Sequence, residues 1–145
     1  MSDAREPRRV GRSIVAVLAG ILVGAVLSIG TDVALHAAGI FPPIGQWAGS
    51  SLFAIATGYR TVYNVVGSYL IARLAPSRPM GHSLVGGVLG VVVSAVGAVT
   101  TWNHVPSLGP HWYPIALVIL ALPCAWVGGK LRVMQRRNSP SQETH

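Results

Sequence analysis

Two charged residues and a small set of polar neighbours carry most of the chemistry this chain can do. Reading every fourth residue from Ala16 gives Ala16, Gly20, Gly24, Ser28, Asp32 and His36, and from Ala56 gives Ala56, Arg60, Asn64, Ser68 and Ala72. Residues four apart share one face of a helix. The first ridge therefore ends in an acid with a histidine one turn on, and the second carries a base with an amide one turn on. Such groups can bind a cation, relay a proton, or neutralise each other.

Each option has a residue requirement. A metal site would use Asp32 and His36 at i, i+4, completed by His104 or His111, but the i, i+4 spacing is unspecific and the last two fall in a turn-rich stretch. Haem needs two facing axial ligands at one depth, and only His36 lies inside an apolar run. No metal and no cofactor is therefore expected. Proton or cation passage needs an acid, a histidine and a base along one cavity, and Asp32, His36 and Arg60 supply these types. Catalysis has no matching constellation: no nucleophile beside a base, no paired carboxylates and no phosphate loop, the glycines of GGVLG lying within an apolar run. The single Cys124 rules out an intramolecular disulfide and reads as a small apolar filler. An enzyme is not expected.

The elements that position these groups follow from composition. With 51% hydrophobic and 10% charged residues over 145 positions, the chain is too apolar for a soluble domain. Apolar runs of membrane-spanning length predict an all-α bundle of four transmembrane helices, with spans at about 14–38, 51–74, 83–102 and 113–129. A secretory signal has a core of roughly 7–15 residues, shorter than the uncharged stretch from Ser13 to Thr31. The breaks carry Gly39, Pro42 and Pro43, then Pro76 and Pro79, then the turn-rich NHVPSLGPHWYP. Residues 1–12 read as a basic tail, 13–130 as the transmembrane domain, and 131–145 as a basic, disordered tail.

Charge sets the orientation. Arg5, Arg8, Arg9 and Arg12 precede the first span, Arg73 and Arg78 lie at and just past the end of the second, and Lys130, Arg132, Arg136 and Arg137 follow the fourth, while the other two connections hold no Lys or Arg. The positive-inside rule then places both termini in the cytoplasm. Bases that flank spans suit anionic headgroups at the cytoplasmic face rather than nucleic acid, which needs a basic face with groove-reading elements.

Within this frame Asp32 and Arg60 are natural partners. Asp32 lies about 9 Å below the outer end of the first span and Arg60 about 14 Å below the same surface, at 1.5 Å per residue. Side chains lean toward the N-terminus of their own helix, so on antiparallel helices the two lean toward one depth. Each is the other's one charged partner within the spans, which predicts an intramembrane ion pair. His36, Tyr63, Asn64, His104 and His111 are expected to converge around it as a polar vestibule. Small residues predict helix contacts: Gly20, Gly24 and Ser28 on the first span against Gly86, Gly90 and Ser94 on the third.

The segments TDVALHAAGIFPP, ARLAPSRPMGH, TWNHVPSLGPHWYP and AWVGGKLR together resemble small four-helix bacterial inner-membrane proteins that are uncharacterised. The resemblance runs from Ser13 to Arg132. It implies a bacterial inner-membrane location and assigns no functional residue. The expected role is structural or accessory, as a homo-oligomer or as a partner in a larger membrane complex. The alternative is a small proton- or cation-conducting transporter that uses Asp32.

Overall fold

The computed structural model describes residues 6–43, 45–103 and 109–139. Among these the chain forms four α-helices and no strand: α1 Glu6–Ala37, α2 Ser50–Leu74, α3 Pro79–Thr101 and α4 Trp112–Asn138. At 1.5 Å per residue they are about 34 to 48 Å long, enough for a hydrocarbon core of about 30 Å. By length and composition α1 from Arg9, α3 and α4 are apolar enough to cross a membrane. α2 is long enough but carries Tyr59, Arg60, Thr61, Tyr63 and Asn64 in its middle. It touches each of the other three helices, so its polar faces meet protein on several sides.

Side-chain contacts fix the register. Gly20 meets Gly67 while Asp32 meets Arg60, so α1 and α2 are antiparallel. Gly87 meets Ala125 and Gly90 meets Ala121, so α3 and α4 are antiparallel too. Thr61 meets Cys124 and Tyr69 meets Gln135, which makes α2 and α4 parallel. The bundle is therefore up-down-up-down. One end, the loop end, carries the α1–α2 and α3–α4 connections. The other, the terminal end, carries the outer turns of α1 and α4 and the short turn at 75–78.

That turn shows how prolines divide two helices. The Ala75 N–H still reaches Ile71 O, closing α2 just before Pro76. Pro79 then occupies the first turn of α3, where its missing N–H costs nothing. Arg78, just before it, has φ 44°, a left-handed conformation that non-glycine residues seldom adopt. Helix α3 thus starts four residues before the expected span. The other helices also outrun their apolar segments. α1 begins within the basic stretch at Glu6, and α4 continues through Asn138, so residues 131–138, expected as a disordered tail, are helical. Arg, Lys, Gln and Met are good helix formers, and a helix need not stop where its apolar segment does.

The interior is made of small residues and the exterior of large ones. Ala16, Ala56, Ala72, Ala121 and Ala125 are buried, whereas Val93 and Val99 are 71% and 77% exposed. A water-soluble core has the opposite arrangement. Here small side chains let backbones close up, and the branched apolar residues form an outward girdle.

The tightest crossing joins α1 to α2. A methyl group on Gly20 would lie 2.5 Å from Gly67 O, and one on Gly67 would lie 2.7 Å from Gly20 O. A second crossing joins α2 to α4, where a methyl on Gly128 would come within 2.7 Å of Val65 O. Ser83, wholly buried, donates from its hydroxyl to Ala125 O at 2.6 Å and also approaches Ser68 O at 3.3 Å. It fastens α3 to α4 and α2. The small-residue ridges thus find different partners from those expected. Gly20 and Gly24 face α2 rather than α3, Gly86 abuts Ile71 of α2, and Gly90 faces Ala121 of α4. Between α1 and α3 lies a crevice of about 230 Å³ lined by Ser28, Gly90 and Ser94, whereas nearer the terminal end the two helices do touch and a hydrogen bond of 2.8 Å joins His82 Nε2 to Ser13 Oγ. Ile71 lies between them there, its branched side chain against both Gly20 and Gly86.

Candidate functional site: the Asp32–Arg60 cluster

At the loop-end half of the bundle, Arg60 Nη2 donates to Asp32 Oδ2, and the Tyr59 hydroxyl donates to Asp32 Oδ1. Both carboxylate oxygens are therefore engaged, and α1 is tied to α2 by two charge-assisted bonds. The pair is partly accessible, with 31% of the Arg60 side chain and 28% of the Asp32 side chain exposed. From the other side Tyr113 of α4 sets its ring 5.8 Å from the guanidinium carbon, within cation–π range. Phe53 packs on Tyr113 with ring centroids 4.9 Å apart. Arg60 is thus held by an acid from α1 and an aromatic face from α4.

The remaining vestibule residues divide. His36 Nδ1 donates to the carbonyl oxygen of Asp32 at 2.7 Å, and its ring stacks on Phe41 at 5.5 Å. This local bond orients the imidazole one turn beyond the acid. Tyr63 shares a hydrogen bond of 2.9 Å with Thr31 and lies 5.9 Å from the Tyr59 ring, adding a second polar tie between α1 and α2. Asn64 is exposed and lines the α1–α3 crevice, not the space around Asp32. His111 turns away: its Nε2 donates to Trp102 O at 3.2 Å and its ring lies 4.6 Å from the indole, closing the α3–α4 connection. His104 lies outside the described residues. Of the five, His36 and Tyr63 join the cluster, and Asn64 and His111 line neighbouring spaces.

Arg60 is the point where three spaces meet. One, of about 230 Å³, is bordered by Asp32, His36, Phe41, Tyr59 and Tyr113. A second, of about 380 Å³, lies between α2, α3 and α4, with Phe53, Trp102, His111 and Tyr113 among its walls. The third is the α1–α3 crevice. Arg60 Nε is buried without a protein partner among the described residues. Chemically this is a polar, accessible chamber around a neutralised ion pair. Among the described residues no three His, Cys, Asp or Glu side chains gather as a metal site.

Tyr59, Tyr113 and Phe53 are site residues that spacing on single helices did not reveal. Tyr59 adjoins Arg60 but lies off its i, i+4 ridge, and reaches Asp32 because a tyrosine is long. Tyr113 sits in the aromatic start of α4, and only the parallel α2–α4 register brings it over Arg60. Compared with known proteins, the chain matches no protein-family model, no curated sequence and no solved structure.

Proposed function

We propose that the chain is an integral protein of a bacterial inner membrane, crossing it four times with both termini in the cytoplasm. Its role is structural or accessory, as a homo-oligomer or as a partner in a larger membrane complex. Three apolar helices and the outward girdle of large side chains support membrane insertion. For α2 the support is its place against all three neighbours, which lets a polar helix cross where lipid alone would exclude it. The observation that carries the accessory reading is the engagement of Asp32. With Arg60 on one oxygen and Tyr59 on the other, the acid is committed to joining α1 and α2 rather than to carrying a proton.

A second reading, conduction of protons or cations, is favoured by the chamber around Asp32 and His36. Against it stand the Gly20–Gly67 and Gly128–Val65 crossings, where close backbones narrow the α1–α2 and α2–α4 seams toward the terminal end. Reconstitution of the purified chain in liposomes separates the two. The accessory reading expects no flux under a proton or potassium gradient, together with recovery of a stoichiometric partner or a defined oligomer from mild detergent. Flux abolished by Asp32→Asn would replace it with the conduction reading. Topology is tested in a Cys124→Ser background by labelling Gln46→Cys and Arg73→Cys with an impermeant maleimide. Periplasmic labelling is expected for the first alone.

A further inference from the structure

At the terminal end a groove of about 710 Å³ runs between α2 and α4. Its apolar part is built by Val65, Val66, Leu131 and Met134, the last three being 37%, 45% and 49% exposed. Its polar part is built by Arg132, Gln135 and Ser139, and the Tyr69 hydroxyl donates to Gln135 Oε1 at 2.6 Å across the floor. Arg132 Nε is buried there without a protein partner among the described residues. Neither 65–78 nor 128–139 contains an acid, whereas Arg73, Arg136 and Arg137 add positive charge nearby. A buried guanidinium donor is costly when nothing accepts from it. No described residue that lines the groove is an acid, which leaves Arg132 free to take an anion from outside the bundle.

We infer that this groove holds one anionic diacyl phospholipid of the phosphatidylglycerol kind, its phosphate on Arg132 and its acyl chains along Val65, Val66 and Leu131. The placement rests on the proposed orientation, which sets Arg132 at the cytoplasmic headgroup level and Val65 about 10 Å deeper, at 1.5 Å per residue. Basic pockets between helices on that side suit anionic headgroups. A net negative lipid matches the acid-free surroundings, and a zwitterionic lipid would add an ammonium to them.

The test is native mass spectrometry of the full chain in detergent with equimolar phosphatidylglycerol and phosphatidylethanolamine. One phosphatidylglycerol per chain is expected to be retained over phosphatidylethanolamine by about fivefold, the factor one basic residue contributes near an anionic surface. Arg132→Gln should abolish the preference, and Arg78→Gln, outside the groove, should keep it. Val66→Trp fills the apolar part and should reduce retention of phosphatidylglycerol, which keeps the site testable should Arg132→Gln fail to fold. Equal retention of both lipids, or an equal loss in Arg78→Gln, would overturn the site, as would displacement by inorganic phosphate, which would mark a phosphate site instead. Retention of the chain in membranes after alkaline carbonate, with no lipid preference, would defeat the lipid site alone. Release by carbonate would defeat the membrane reading as well.

Discussion

The two ends of this bundle are held by different physics. Toward the terminal end the helices meet backbone to backbone, with Gly20 on Gly67, Gly128 on Val65 and Ser83 buried among three helices. Toward the loop end they stand apart, and the gap is occupied by long polar and aromatic side chains: Asp32, Tyr59, Arg60 and Tyr113. Close packing gives dispersion contacts that depend on shape and on the absence of a side chain. The polar cluster gives bonds that depend on charge and tolerate neighbouring space. One half should therefore fail when volume is added, and the other when charge is removed.

The sharpest way to break the terminal half is to add volume at its crossing. Gly67→Leu drives a branched side chain into the α1 backbone, where even a methyl meets Gly20 O at 2.7 Å. Overpacking costs about 1–3 kcal/mol where neighbours can yield, and backbone yields less than a side chain. The expected outcome is loss of most folded protein, read as the monodisperse fraction in size-exclusion chromatography. Gly58→Leu, at a position with open space around it, should be tolerated.

At the loop end the same logic runs through charge. Asp32→Ala leaves Arg60 without its acid, and on the proposed reading of α2 as a span an uncompensated charge there costs about 2.5–3.5 kcal/mol on insertion scales. Because the pair is roughly one-third exposed, the lower part of that range is expected, seen as a drop in thermal unfolding temperature in native-lipid particles. Tyr59→Phe removes one bond to an ionised acceptor and should cost about 1.5 kcal/mol. The smallest effect sharpens the contrast. Ser83→Ala deletes a hydroxyl whose two acceptors are carbonyls already bonded within helices, so about 0.6 kcal/mol is expected, the average for hydrogen bonds between membrane helices. A larger loss for Ser83→Ala than for Tyr59→Phe would show that the terminal half depends on polar bonds after all.

The sequence made some of this legible and hid the rest for definite reasons. The helices are readable because apolar runs of spanning length are bounded by Gly and Pro. Their extents, from Glu6 in α1, from Pro79 in α3 and to Asn138 in α4, are not, because hydropathy reports lipid preference and helices outlast it. The closeness of Asp32 and Arg60 follows from charge scarcity and matched depth, two quantities a sequence contains. The choice of helix partner does not: small residues declare that something packs closely, not what. Ile71, which lies between Gly20 of α1 and Gly86 of α3, looks like any apolar residue until those contacts are seen. Tyr113 likewise depends on the α2–α4 register, which no single-helix periodicity encodes.

The most direct test of the division into a shape-held and a charge-held half is a double-mutant cycle on Asp32→Ala and Arg60→Ala, following thermal stability of the folded protein in native membranes. Groups joined in one ion pair couple by about 0.5–3 kcal/mol, and distant ones add within about 0.5. The account predicts that each single variant is strongly destabilised and that the double variant recovers much of the loss. Strictly additive losses, or single variants as stable as the parent, would contradict it.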